Sequence, residues 1–150
     1  MKKFDNLGEV LQFAISLEQM SYEFYIDLSK RTASDVMKKV LLDFADEEKG
    51  HKQRLERIVG VAENISTDTL NPEELSRYIA AVPIPENMTY EQAIKIAMNK
   101  EHAAMMLYQI LAKMTEEKAL RDVLELLAVE EAHHKRRFEK EYHEIKTRSN

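Results

Sequence analysis

The feature that most constrains this chain is that it says nearly the same thing twice. With an offset of 83 residues, the segments 14–56 and 97–139 align without a gap, and fifteen of the 43 positions are identical. Ordinary compositions give roughly three by chance. The shared positions include Glu18/Glu101, Tyr25/Tyr108, Glu47/Glu130, Glu48/Glu131, His51/His134 and Arg54/Arg137. A duplicated unit of this length must fold into two similar halves related by a pseudo-two-fold axis.

Each half reads as a helical hairpin. Asn6 to Glu9 resembles a capping box that opens a helix over about 7–30, and Thr32 to Asp35 opens a second over about 33–59. Thr89 to Gln92 opens a third over about 90–114, and Thr115 with Glu116 and Glu117 opens a fourth over about 116–146. The hairpins are joined by a long crossover, about 60–88, in which Asn71 and Pro72 start one short helix that Pro83 and Pro85 end. Three glycines and three prolines leave too few turns for an all-β protein. The expectation is an all-α protein, one domain over 1–150: a four-helix bundle of two repeated hairpins with a long crossover and one short extra helix.

Composition narrows the partners. The formal net charge is −5 and no basic run is sustained, which excludes nucleic acid and anionic membrane surfaces as expected partners. The segment KRRFEK alternates with glutamates and suits the solvated end of a helix. With no cysteine there is no disulfide, thiolate metal site or cysteine nucleophile, which fits a reducing cytoplasm. No apolar run has the length of a membrane span, about 18–20 residues, and the acids in MKKFDNLGEV do not suit a signal peptide.

Steps of three and four along each helix give the stripe that faces the core. They run Leu7, Leu11, Ala14, Glu18, Tyr22, Tyr25, Leu28; Met37, Leu41, Phe44, Glu48, His51, Leu55, Ile58; Tyr90, Ile94, Ala97, Glu101, Met105, Tyr108, Leu111; and Leu120, Leu124, Leu127, Glu131, His134, Phe138, Tyr142. Every stripe is apolar except at its middle, where four carboxylates and two imidazoles point into one core. An uncompensated buried carboxylate costs many kcal/mol, and four together also repel. Two divalent cations would balance four carboxylates. Residues i and i+3 share a helix face, so Glu48 and His51 can hold one ion and Glu131 and His134 the other, with Glu18 and Glu101 completing the two sets. Carboxylate-rich sites with one imidazole per ion suit iron or manganese better than zinc.

Single features of this kind are weak. A lone Glu-x-x-His is common, and a lone Glu at a stripe edge usually reaches solvent; six residues repeated at one offset are another matter. The competing pair Glu130 and His133 fails the repeat, since its counterpart is Glu47 and Gly50. Tyr25 and Tyr108, two turns beyond Glu18 and Glu101, are either hydrogen-bond donors to ligating carboxylates and carriers of electrons and protons, or packed core tyrosines. His102 and His143 read as surface residues, the methionines as core filler, and Gly50 as a point of close helix approach or a local bulge.

The motifs Glu48-Lys-Gly-His51 and Glu131-Ala-His-His134, each preceded by a glutamate thirty residues upstream, resemble the di-iron domain of the rubrerythrin group in the ferritin-like superfamily. The resemblance covers nearly the whole chain. It implies a ferritin-like four-helix bundle with two iron ions (manganese or a mixed pair being the alternative), bridged by Glu48 and Glu131 and closed by Glu18, Glu101, His51 and His134. It further implies reduction of hydrogen peroxide or dioxygen, and a homodimer. Full rubrerythrins add an iron–thiolate domain; this chain has no cysteine, so an external redox protein is expected as electron donor. Where rubrerythrins proper often carry a further glutamate, three residues before Glu101, this chain has Met98. A ferritin or bacterioferritin type of ferrous oxidation and storage is the alternative function. Lys49 stands where the haem methionine of bacterioferritins would be. A metal-stabilised bundle with some other binding role is the third possibility.

Overall fold

The computed structural model describes residues 4–68, 71–79 and 84–148. Five helices follow one another: α1 (Leu7–Ser29), α2 (Asp35–Ala62), α3 (Pro72–Ile79), α4 (Tyr90–Met114) and α5 (Lys118–Arg148). The architecture is the expected all-α bundle. Helices α1 and α2 pack along each other as one hairpin, α4 and α5 as the other, while α2 meets α5, α1 meets α4 and α3 lies on α4. No helix among the described residues is long and apolar enough to cross a membrane.

The direction of α4 follows from contacts at the bundle ends. At one end the chain leaving α2 pairs with the chain entering α1: Leu7 N–H donates to Ile65 O at 2.8 Å, and Thr67 Oγ1 donates to Phe4 O at 2.8 Å. At the other end the start of α4 sits beside the α1–α2 turn, where the Arg31 guanidinium donates to Met88 O. There too Tyr90 donates to Glu141 near the end of α5, at 2.9 Å. The crossover therefore travels the length of the bundle, and α4 runs parallel to α2 and antiparallel to α1. This places the pseudo-two-fold axis across the bundle.

Caps account for most boundaries. Asn6 accepts from Glu9 N–H, Ser34 from Met37 N–H, and Thr89 with Gln92 forms a reciprocal capping box. Asn71 Oδ1 accepts from Glu73 and Glu74 N–H and starts α3; of the two prolines expected to end it, Pro83 lies outside the described residues. One assignment changes. Thr115 does not open the last helix but closes α4, its hydroxyl donating back to Leu111 O at 2.7 Å. A threonine hydroxyl can turn to the carbonyl four residues earlier as readily as it caps forward. The carboxylate of Glu117 caps instead, accepting from Leu120 N–H at 2.8 Å, so α5 begins at Lys118.

The apolar core is in two parts. One gathers Leu7, Leu11, Leu55, Leu111, Leu124 and Leu127 among others; the other gathers Leu28, Leu41, Phe44, Ile94, Ala97 and Phe138. Repeat partners fall in opposite clusters: Leu11 is matched by Ile94, Leu124 by Leu41, and Leu127 by Phe44. Between the two clusters lies the layer of acids and imidazoles.

The glycines separate. A Cβ on Gly8 would come within 2.7 Å of Glu63 Cγ and 3.0 Å of the Glu63 backbone nitrogen. The close approach expected at Gly50 is thus found at Gly8, where α1 starts against the end of α2. Gly50 itself is unbulged helix, and a methyl group added there would meet nothing within 4 Å. Gly50→Ala should then stabilise the protein by about 0.5–1 kcal/mol, and Gly8→Ala should destabilise it by about 1–3 kcal/mol. Urea midpoints of the two variants check both signs.

Candidate metal centre

The structure brings all six sequence-predicted residues into one layer. Glu18, Glu48, Glu101 and Glu131 are 1–2% exposed, and His51 and His134 are fully buried. They form two groups, Glu18, Glu48, His51, Glu131 and Glu48, Glu101, Glu131, His134, in each of which the donor atoms lie within 4.8 Å of one another. Glu48 and Glu131 belong to both groups. Every contact has a twin across the axis: His51 Nδ1 lies 2.8 Å from Glu131 Oε1 and His134 Nδ1 3.0 Å from Glu48 Oε1. Likewise His51 Nδ1 is 3.6 Å from Glu18 Oε2, and His134 Nδ1 is 3.4 Å from Glu101 Oε1.

Those short distances are not satisfied hydrogen bonds. Glu18 Oε2, Glu48 Oε1, Glu101 Oε2, Glu131 Oε1 and both Nδ1 atoms are buried without a hydrogen-bond partner. Buried polar atoms are normally paired, and six unpaired ones converging on a single layer need another partner. Four carboxylate oxygens and two imidazole nitrogens make the hard, oxygen-rich set, with one nitrogen on each side, that fits a pair of divalent cations.

The outer contacts hold the ligating atoms in place. Tyr25 donates to Glu101 Oε1, and Tyr108 donates to Glu18 Oε1 at 2.5 Å. Both tyrosines thus donate to carboxylates of the layer, each to the glutamate of the other hairpin. His134 Nε2 lies 3.0 Å from Glu47 Oε2 and His51 Nε2 lies 3.5 Å from Glu130 Oε2. A proton on Nε2 shared with such a carboxylate leaves the Nδ1 lone pair facing the layer. Arg54 grips Glu130 with two bonds of 2.6 and 3.1 Å. Phe44 stacks on His134 at 4.0 Å between ring centroids. Glu47 and Glu130 were missed as functional residues, though both are among the repeated identities; their signal was the repeat, not the stripe. His102, His133 and His143 are exposed.

Electrostatics shows the strain in such a layer without cations. Burial, then the charge of Glu48, pushes Glu18 well up and also raises Glu101; burial and the neighbouring Glu101 and Glu18 do the same to Glu131. Burial acts on Glu48 as well, but the imidazoles of His134 and His51 outweigh it and hold that carboxyl well below the usual range. Burial pulls the imidazoles down, yet the adjoining Glu18 and Glu48 bring His51 up to about 10. Glu101 and Glu48 bring His134 up to about 11. Burial and the carboxylates keep both phenols protonated.

On the α1/α4 side a cavity of about 30 Å³ reaches Glu18, Glu48 and Glu131. Its walls are Leu17, Ser21, Lys100, Ala103, Ala104, Leu107 and Tyr108, and Tyr78 of α3 covers it. Through Tyr78 the crossover helix α3 contributes to the lining of this cavity.

The model of the rubrerythrin family matches residues 9–142, and the chain belongs to that family. It is similar to a protein from Thermotoga maritima described as a ferritin-like diiron-carboxylate protein, at 21% identity over 97% of this chain and 99% of that one, with a TM-score of 0.73. A hypothetical protein from Pyrococcus furiosus is similar at 22% identity over 91% of this chain and 88% of that one, with a TM-score of 0.70. No curated protein matches.

A pH dependence follows. In the metal-free protein His51 and His134 keep their protons to higher pH than in the unfolded chain, and Glu18, Glu101 and Glu131 are shifted in the same direction. The histidine contribution is complete below the unfolded value of 6.5 and is lost as pH rises through about 10–11. The raised glutamates act in the same direction above 4.5, whereas the contribution of Glu48 is lost only as pH falls below 4.5. Melting of metal-free protein should occur at lower temperature at about pH 9 than at about pH 6, because the folded state binds more protons over that window. Loading with a divalent cation should abolish most of that fall, since the cation displaces the protons. Calorimetry of both forms at the two pH values checks this.

Proposed function

We propose that the protein is a non-haem di-iron oxidoreductase that reduces hydrogen peroxide, with dioxygen as a slower oxidant and an external redox protein as electron donor. The observation that carries this reading is the pair of buried four-donor groups sharing Glu48 and Glu131. Two ions held side by side by common carboxylates can deliver two electrons together, the number needed to cleave one O–O bond. Membership of the rubrerythrin family supports iron, as does the ferritin-like diiron-carboxylate description of the similar Thermotoga protein.

In this reading Glu48 and Glu131 bridge, Glu18 with His51 closes one ion's set, and Glu101 with His134 closes the other. The residues of the chain have separate tasks. Tyr25 holds Glu101 Oε1 and Tyr108 holds Glu18 Oε1, which fixes the orientation of both carboxylates in the layer. Glu47 orients the His134 imidazole, and Glu130, held by Arg54, stands 3.5 Å from His51 Nε2. Phe44, Leu41, Leu124 and Leu127 exclude bulk water. The cavity, about 30 Å³, has room for a molecule of two heavy atoms and little more, since one water needs about 10–15 Å³ by the same measure. Within these 150 residues no cysteine is present to relay electrons. The phenols, bonded to terminal carboxylates, stand where a proton or an electron can enter the site.

Two outcomes are expected. Glu48→Ala should lose both ions on dialysis, because the carboxylate serves both, whereas His51→Ala should lose mainly one; metal analysis per chain distinguishes them. On rapid mixing of anaerobic di-ferrous protein with each oxidant in turn, peroxide should oxidise it faster than dioxygen does, with no sustained turnover unless reductant is added. Near-ultraviolet absorbance follows the reaction. If peroxide acts no faster on the wild type than on a Glu18→Ala/Glu101→Ala double variant, the oxidoreductase reading fails.

A further inference from the structure

The two halves of the bundle repeat the ligands but not the walls of the cavity that leads to them. Leu17 and Lys100 are partners in the repeat, and so are Ser21 and Ala104; all four line the cavity, so each pair sets one polar group against one apolar group. Lys100 is the unusual member. It is 8% exposed, and no carboxylate lies within ion-pair distance of its ammonium among the described residues; the group it meets is the face of Phe24, with Nζ 5.8 Å from the ring centroid. In the di-iron reading two divalent cations balance the four carboxylates, which leaves Lys100 as an additional positive residue of the cavity lining. Buried lysines are rare unless paired. Leu17 shows that the fold accepts a plain aliphatic side chain at the equivalent place.

We propose that Lys100 is the oxidant-binding residue of the cavity, donating a hydrogen bond to a small polar or anionic molecule as it enters and thereby selecting peroxide over dioxygen. The inference rests on the di-iron reading above and goes further, to what that site admits. An ammonium has three donors and no acceptor. Peroxide has lone pairs to receive one; dioxygen is apolar and gains almost nothing from the contact. A cavity of about 30 Å³ keeps the choice among molecules of two or three heavy atoms. Ser21 adds a hydroxyl on the opposite helix, while Ala104 and Leu107 remain apolar. The ammonium thus makes one oxidant welcome without closing the path to the other.

The experiment uses iron-loaded protein and azide as the probe, a three-atom anion suited to the cavity. Lys100→Leu should weaken azide binding and slow oxidation by peroxide by the same order, tenfold to a hundredfold, the range of one hydrogen bond to a charged group. The dioxygen rate should stay within about twofold. Lys100→Gln, without the charge, provides a second variant should leucine pack badly. Adding Leu17→Lys to Lys100→Leu returns an ammonium to the cavity from the other hairpin, and azide affinity should recover. Unchanged azide affinity in Lys100→Leu and Lys100→Gln overturns the proposal, as does an equal loss of rate with both oxidants. A drop in iron content or melting temperature with azide affinity intact also overturns it, because Lys100 would then only hold the site together. If the wild type is inert to peroxide, the oxidoreductase reading falls by itself, and azide affinity alone decides the role of Lys100.

Discussion

Four carboxylates at the centre of an apolar bundle must be neutralised, and nearly everything else in this structure answers to that demand. Glu18, Glu48, Glu101 and Glu131 lie in one layer with at most 2% exposure. Like charges at such separations cannot all remain ionised without a counter-charge. Three carboxyls are driven up and two imidazoles are driven up with them, the response of a layer that borrows protons. Divalent cations meet the same demand without displacing the donors, and they also engage the six inward atoms that have no other partner. The layer divides the hydrophobic core in two, so the bundle depends on it mechanically as well as electrostatically.

The pseudo-two-fold axis turns that demand into a site with shared members. Each hairpin supplies one Glu-x-x-His and one upstream glutamate, but the supporting contacts cross between hairpins: Tyr25 donates to Glu101, Tyr108 donates to Glu18, His134 Nε2 meets Glu47, and His51 Nε2 lies 3.5 Å from Glu130. Neither half is complete alone. The symmetry is broken at Arg54, which pairs with Glu130 while buried Arg137 Nη1 has no partner, and at Leu17 and Lys100 on the cavity wall. Duplication accounts for the paired donor groups, and departures from it make the cavity wall unlike on its two helices.

Much of this was legible in the residues. Periodicity located the four buried carboxylates because an acid in the middle of an apolar stripe is conspicuous, and the repeat made them agree with the two imidazoles. What periodicity cannot convey is which neighbour a side chain meets. Tyr25 and Glu18 share a face of α1, yet Tyr25 reaches across to Glu101. Glu47 and Glu130 sit one residue beside the stripe, where an acid ordinarily faces solvent, and only the packing of α2 against α5 brings them to the imidazoles. Lys100 adjoins the stripe in the same way, and it lines the cavity together with Tyr78 of α3, in a crossover that has no repeat partner. Thr115 was ambiguous for a local reason: its hydroxyl had two competing partners, the next helix and the previous one.

The most direct test of the central claim is anomalous diffraction at the iron edge from crystals of iron-loaded protein. The account predicts two peaks per chain, about 3.5–4 Å apart, both lying between Glu48 and Glu131, one beside His51 and the other beside His134. A single peak, or peaks outside the layer of the four glutamates, would contradict it.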